Sequence, residues 1–229
     1  MMPAPPVETP MPTATETFLL SFSALFSIVN PPGSALIFSQ ATADRSHFER
    51  LILARRIGIY SAIIMLVALW GGAYILSFFG ITLAALRVAG GVVVAASAWS
   101  LLFLTESYEA DKQKQASEAA GYEDVAFFPL TMPFTAGPGT ISVAIAIGAN
   151  HPHSNEEFLA FVAGASAAAL AVAIIVWLAY SSADRLLNFL GPGGARALSR
   201  LSAFLLLCIG TQIAMNGISE FLQSLWPHT

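Results

Sequence analysis

The 229-residue chain is 56 % hydrophobic and only 10 % charged, with a net charge of −4. An average soluble domain carries about 25 % charged residues, and a globule of this size has too much surface to hide so much apolar side chain. That arithmetic excludes a soluble enzyme, and an acidic chain offers no basic face to a nucleic acid. It predicts a polytopic, all-α membrane protein.

In chain order, residues 1–16 (MMPAPPVETPMPTATE) contain no Lys or Arg and so lack the basic start of a cleavable signal peptide. They read as a flexible N-terminal tail. Six long apolar runs follow, over residues 17–43, 57–79, 81–104, 125–150, 158–183 and 201–219. A crossing helix needs roughly 20 residues, so each run suffices for one crossing and none for two. The acidic stretch 105–124 divides them into a first three-helix repeat, residues 17–104, and a second, residues 125–222. Residues 223–229 read as a C-terminal tail.

The charges orient the bundle. Nine of the ten basic residues fall in alternate loops: Arg45, Arg50, Arg55 and Arg56; then Lys112 and Lys114; then Arg185, Arg196 and Arg200. The positive-inside rule makes those loops, the 105–124 linker among them, cytoplasmic. Both termini are then expected on the periplasmic or extracellular side. Three crossings per half start the second half on the opposite face, so related halves must be inverted repeats.

The first run contains Asn30-Pro31-Pro32-Gly33-Ser34 and the fourth Thr135-Ala136-Gly137-Pro138-Gly139-Thr140. Each holds Pro-Gly followed by a hydroxyl residue. Proline removes a backbone donor and glycine admits unusual backbone angles, so helices 1 and 4 are expected to break there. Paired broken helices in inverted halves point to a transporter's midplane site. Ser34 and Thr140 are expected as N-caps, with free N–H groups and positive dipole ends facing the membrane centre from both sides. That arrangement suits a carboxylate. Carbonyls before each break, with Asn30, Thr135, Gln212 and Asn216, would hold an ammonium group or a small cation. The plainer role for each such polar residue is interhelical packing.

No Asp or Glu sits centrally in a run, so a buried-carboxylate proton relay is not expected. Coupling would use neutral oxygens or an outer group such as Glu220. Arg87, the one basic residue outside the three loops, is read either as an anion anchor or as snorkelling to the outer headgroups. Cys208 reads as a small core residue, and His151-Pro152-His153 lacks a third metal ligand. Gly71-Gly72 and Gly90-Gly91 read as close helix-packing points. No cofactor and no metal are implied.

Several segments together resemble the MarC family of six-helix membrane proteins, distantly related to LysE-type exporters. They are Asn30-Pro31-x-Gly33, Leu86-Arg87-x-Ala89-Gly90-Gly91, Pro129-Leu130-Thr131-x-Pro133, Ala136-Gly137-Pro138-Gly139-Thr140-Ile141 and Gln212-x-x-x-Asn216-Gly217. The resemblance covers nearly all of residues 17–222. It implies a bacterial inner-membrane protein, with small neutral amino acids such as glycine and alanine as the substrate class. Pro32 departs from the bulky aliphatic residue found in other members. On this basis Asn30, Pro31, Gly33, Ser34, Thr135, Gly137, Gly139, Thr140, Gln212 and Asn216 are the candidate substrate-binding residues, with Arg87 as anion anchor. Alternating access would come from one half rocking against the other. The expected partners are the lipid bilayer, a small neutral amino acid or similar metabolite, and a coupling ion, sodium or proton; a homo-oligomer stays open. A channel for a small polar solute is the alternative, and an intramembrane enzyme a weaker one.

Overall fold

The computed structural model describes residues 13–103, 125–152 and 155–225. The linker, most of the N-terminal tail, the end of the C-terminal tail and His153 lie outside them. The described elements are all helical: α1 (Ala14–Val29), α2 (Pro31–Ala41), α3 (His47–Phe78), α4 (Leu83–Phe103), an irregular segment Ala126–Thr135, α5 (Pro138–Ala149), α6 (Asn155–Ser181) and α7 (Ala183–Leu225).

Local sequence explains where the first helices begin. Thr13 and Glu16 exchange hydrogen bonds, the Glu16 amide to Thr13 Oγ1 at 3.2 Å and the Thr13 amide to Glu16 Oε2 at 2.8 Å. This capping box satisfies donors that the helix start leaves open, so Thr13–Glu16 belong to the first helix rather than to a tail. Ser46 and Glu49 repeat the device at the start of α3. Near the other end of the chain, α7 leaves helical geometry at Gly191 (φ 65°, ψ 173°). Its apolar crossing portion is Ala197–Leu225.

Among the described residues, five helices are long and apolar enough to cross a membrane, with α1 and α2 together supplying one of them over Ala14–Ser39. The run 125–150, expected as a further crossing helix, is not a continuous helix. Its first part has extended geometry at Phe128 (φ −126°, ψ 125°) and Met132 (φ −112°, ψ 120°). Each of these precedes a proline, and the proline ring excludes the residue before it from the α region. Gly137, before Pro138, is likewise extended. The helix that follows, α5, has 12 residues and measures about 18 Å at the usual rise, well short of a hydrocarbon core of about 30 Å.

The helices pack as two bodies. One holds α1, α2, α3, α5 and α6, with α1 on α6 and α3 on both α5 and α6; the other is α4 against α7, the most extensive pairing among the described elements, and α2 packs on α7 and α5 on α4 across the boundary. Leu25, Leu53, Met65, Leu130 and Val172 fill the centre of the first body. Outward faces carry Leu20, Ile63, Phe78, Leu178 and Phe204 in the open, as a lipid-facing surface requires. Cys208 is also exposed and is no core residue.

The α4–α7 pairing rests on glycine. A Cβ at Gly210 would lie 2.6 Å from the Ala95 amide nitrogen and 2.9 Å from the Gly91 carbonyl oxygen; at Gly217 it would lie 2.7 Å from the Ala84 oxygen. Small residues let membrane helices approach backbone to backbone, where dispersion rather than water exclusion holds them. Gly72 and Gly90 face Ile145 and Ser142 equally closely, whereas Gly71 faces open space. Overpacking costs about 1–3 kcal/mol, and each kcal/mol is worth about 2–4 °C in a chain of this length. Gly210→Leu is therefore expected to lower the thermal midpoint in detergent by about 5 °C, with Gly71→Leu unchanged. Equal midpoints for the two variants would show the seam to be loose.

Candidate functional site

The two interruptions differ once every backbone donor is followed. Asn30 closes α1 in the left-handed region (φ 47°, ψ 62°), its own amide bonded to the Phe26 carbonyl at 2.9 Å. Its side-chain Oδ1 accepts from the Gly33 amide at 3.4 Å and its carbonyl from the Ser34 amide at 3.0 Å. Pro31 and Pro32, the first two residues of α2, carry no N–H. The first turn of α2 is thus closed, and the free amides expected at this break are already used. Nor is Ser34 the N-cap: it lies inside α2, and its hydroxyl donates back to the Val29 carbonyl at 2.9 Å.

The second interruption is more open. Gly137 occupies the cap position with no side-chain bond, and Pro138 is the first residue of α5. Thr140, expected as the cap, lies within the helix. The Ile141 amide, bonded to the Gly137 carbonyl at 3.1 Å, makes the first helical bond. The Gly139 and Thr140 amides precede it, in the turn where a helix has donors without internal partners. Before the break, the hydroxyls of Thr131 and Thr135 donate to the carbonyls of Ala126 (2.6 Å) and Leu130 (2.7 Å). Two prolines have disrupted the ordinary ladder there, and threonine side chains take over its work.

Tyr180, near the end of α6, ties the two interruptions together. Its hydroxyl lies 2.7 Å from Thr135 Oγ1; because the Thr135 proton goes to Leu130, Tyr180 is the donor. The Ser34 hydroxyl, whose own proton goes to the Val29 carbonyl, is a near neighbour of the Tyr180 hydroxyl. The Tyr180 ring stacks on Phe38 of α2 at 4.7 Å between centroids. Arg50 sits over the other partner of that stack, 5.8 Å from the Phe38 centroid, bonds Ser39 Oγ at 2.7 Å and pairs with Asp184. Tyr180 carries no charge and sits in an apolar run, so periodicity and charge gave no sign of it.

Among the described residues, cavities lie between the α4–α7 pair and the other body, three of them bearing on the candidate residues. One of about 60 Å³ is lined by Asn30, Gly33, Ser34 and Ser202. Its neighbour, about 300 Å³, is lined by Thr135, Gly137, Gly139 and Thr140 with Val94 and Ser97. The two share Ile28, Ile37, Phe134 and Leu206 as walls. Eight of the ten candidate residues therefore converge, Pro31 being buried beside Asn30 without lining either cavity. Gln212 and Asn216 do not join them. They bond each other along α7, Nε2 to Oδ1 at 2.8 Å, and line neither cavity. Asn216 instead lines a third cavity, about 800 Å³, with Arg87, Ser142 and Glu220. Arg87 does not snorkel alone: it is ion-paired with Glu220 across the α4–α7 seam.

Tyr180→Phe keeps the ring on Phe38 and removes only the hydroxyl's bond to Thr135. Side-chain hydrogen bonds between membrane helices are worth about 0.6–1.7 kcal/mol. The variant is expected to unfold about 2 °C below wild type, on the scaling for a chain of this length. A thermal midpoint identical to wild type would mean that Thr135 and Ser34 hold without it.

Comparison with known proteins places the chain among integral membrane proteins. A profile described as "MarC family integral membrane protein" matches residues 15–222. The inner membrane protein MarC of Salmonella paratyphi A is 34 % identical over 211 residues, covering 90 % of this chain and 95 % of that protein. Its namesakes in Citrobacter koseri and Escherichia coli O1:K1 are each 33 % identical over the same shares. No solved structure matches the chain. With the match running through both interruptions and the α4–α7 seam, this chain belongs to the MarC family of integral membrane proteins.

Proposed function

We propose that the protein is a secondary transporter of small neutral amino acids, or similar small metabolites, in the bacterial inner membrane. The observation that carries this reading is the start of α5. Two helix-start amides, of Gly139 and Thr140, border a cavity of about 300 Å³ between two packed bodies. Amides at a helix start favour a carboxylate through their hydrogen bonds and the local dipole. The substrate carboxylate would sit there, against Gly137, Gly139 and Thr140. Asn30, Gly33, Ser34 and Thr135 would shape the adjoining wall and meet the ammonium end, with Pro31 fixing the backbone at Asn30. Asn216 would act from the separate, larger cavity, with Gln212 holding its side chain.

In this reading residues 125–150 complete a sixth crossing by combining the irregular segment with α5. The two halves are inverted three-helix repeats joined by the 105–124 linker. The Arg-rich helix ends of α3 and α7 and the Lys-bearing linker face the cytoplasm, and the termini the periplasm. That both termini share one face has a structural counterpart. Thr17 near the start of α1 and Gln223 near the end of α7 line the same cavity. Alternating access would open the boundary between the α4–α7 pair and the other helices first on one face and then on the other, driven by a sodium or proton gradient.

The test is uptake of labelled glycine and alanine into proteoliposomes, with and without sodium and proton gradients. Wild type is expected to show saturable uptake. A side chain at Gly139 would collide with Val94 and meet Ile28 at 3.4 Å, so Gly139→Leu should cut uptake at least tenfold. Undiminished uptake by that variant would remove the site. Flux that rises linearly and very fast with concentration would make the protein a pore instead.

A further inference from the structure

We infer that the Arg87–Glu220 pair is a second, outer binding site for a small zwitterion, at which the solute takes each charged group from the other. The inference extends the transport reading and rests on it for the identity of the solute.

The pair is built by the seam. Gly217 brings α7 so close to α4 that a Cβ there would lie 2.9 Å from Arg87 Cβ. Glu220 is three residues further along the same helix face and so reaches the guanidinium. Both side chains remain partly open, at 25 % for Arg87 and 42 % for Glu220, and both line the 800 Å³ cavity. Neutral hydrogen-bonding groups share that lining, among them Ser21, Ser142, Asn216 and Ser219.

Opposite charges within a membrane protein satisfy one another because the surroundings cannot, and removing one partner leaves the other exposed to that cost. A molecule that carries both a carboxylate and an ammonium escapes the penalty. Its carboxylate replaces Glu220 on Arg87 while its ammonium replaces Arg87 on Glu220, and neither protein charge is left unpaired. A simple carboxylate strands Glu220, and a simple amine strands Arg87. The pair therefore selects for a molecule bearing both charges. Arg50 and Asp184 form another cross-helix ion pair, and they lack this character. Arg50 is engaged by Ser39 and Phe38, and neither partner lines any of the three cavities.

The experiment is equilibrium binding of labelled alanine to the purified full chain in lipid nanodiscs. Propionate and ethylamine serve as single-charge competitors. In the Gly139→Leu background, whose added side chain fills the inner cavity, about one alanine per chain should still bind. Adding Arg87→Gln together with Glu220→Gln, which leaves no lone charge, should weaken that binding at least tenfold. In the otherwise unaltered chain, Glu220→Gln should raise the potency of propionate against alanine about tenfold, and Arg87→Gln that of ethylamine. A purely structural pair would give no such exchange of preference. The inference is overturned if Gly139→Leu binds no alanine, if the doubly neutral variant binds within twofold of its parent, or if Glu220→Gln leaves the competitor order unchanged. Failure of the transport reading looks different: no uptake into proteoliposomes by a chain that still binds alanine at Arg87 and Glu220.

Discussion

Hydrocarbon offers no water to an unpaired amide or carbonyl, and the shape of this molecule follows from how its interrupted helices meet that demand. Asn30 does so within a few residues. It ends one helix in a left-handed turn and, with side chain and carbonyl, occupies the donors of the next. The proline-rich segment before α5 has no single residue placed to do this. It recruits Thr131, Thr135 and, from another helix, Tyr180. The first interruption is consequently sealed and narrow, whereas the second keeps two amides beside a cavity large enough for a small solute.

The same constraint explains where polar chemistry collects. Ser142 bonds the Leu86 carbonyl at 3.2 Å, Ser34 the Val29 carbonyl, and Trp70 the Ser166 hydroxyl at 3.2 Å. These groups stabilise packing as they stand, and those that also border a cavity can take a solute as partner. The cavities follow the boundary between the α4–α7 pair and the other body. Both interruptions and the Arg87–Glu220 pair open onto that boundary.

Much of this was legible in the sequence, and the parts that were not have physical reasons. Apolar runs and charge placement located the crossing helices because each is a local property of the chain. The neighbourhoods of both interruptions were visible in Asn-Pro-Pro-Gly and Gly-Pro-Gly. Their inequality was written there too, since two consecutive prolines and an asparagine leave α2 few donors to offer, but the match in motif obscured the difference in hydrogen-bonding capacity. Prolines at 129, 133 and 138 likewise announce that residues 125–150 cannot run as one helix. Tyr180 was illegible because its role depends on Thr135 and Ser34, far away in the chain. Arg87 and Glu220 were each noticed singly, and only the glycine contact at Gly217 puts them together.

The glycine seam also constrains how such a molecule can move. Its two helices come from opposite halves of the chain, α4 from residues 17–104 and α7 from residues 125–222. A hinge that swung those halves apart as rigid bodies would tear open this close backbone contact and expose bare peptide groups to lipid. Displacement of α4 and α7 together, as one paddle against the remaining helices, leaves that contact whole. The packing boundary then differs from the dividing line of the sequence: the two halves interlock, and each lends one helix to the same pair.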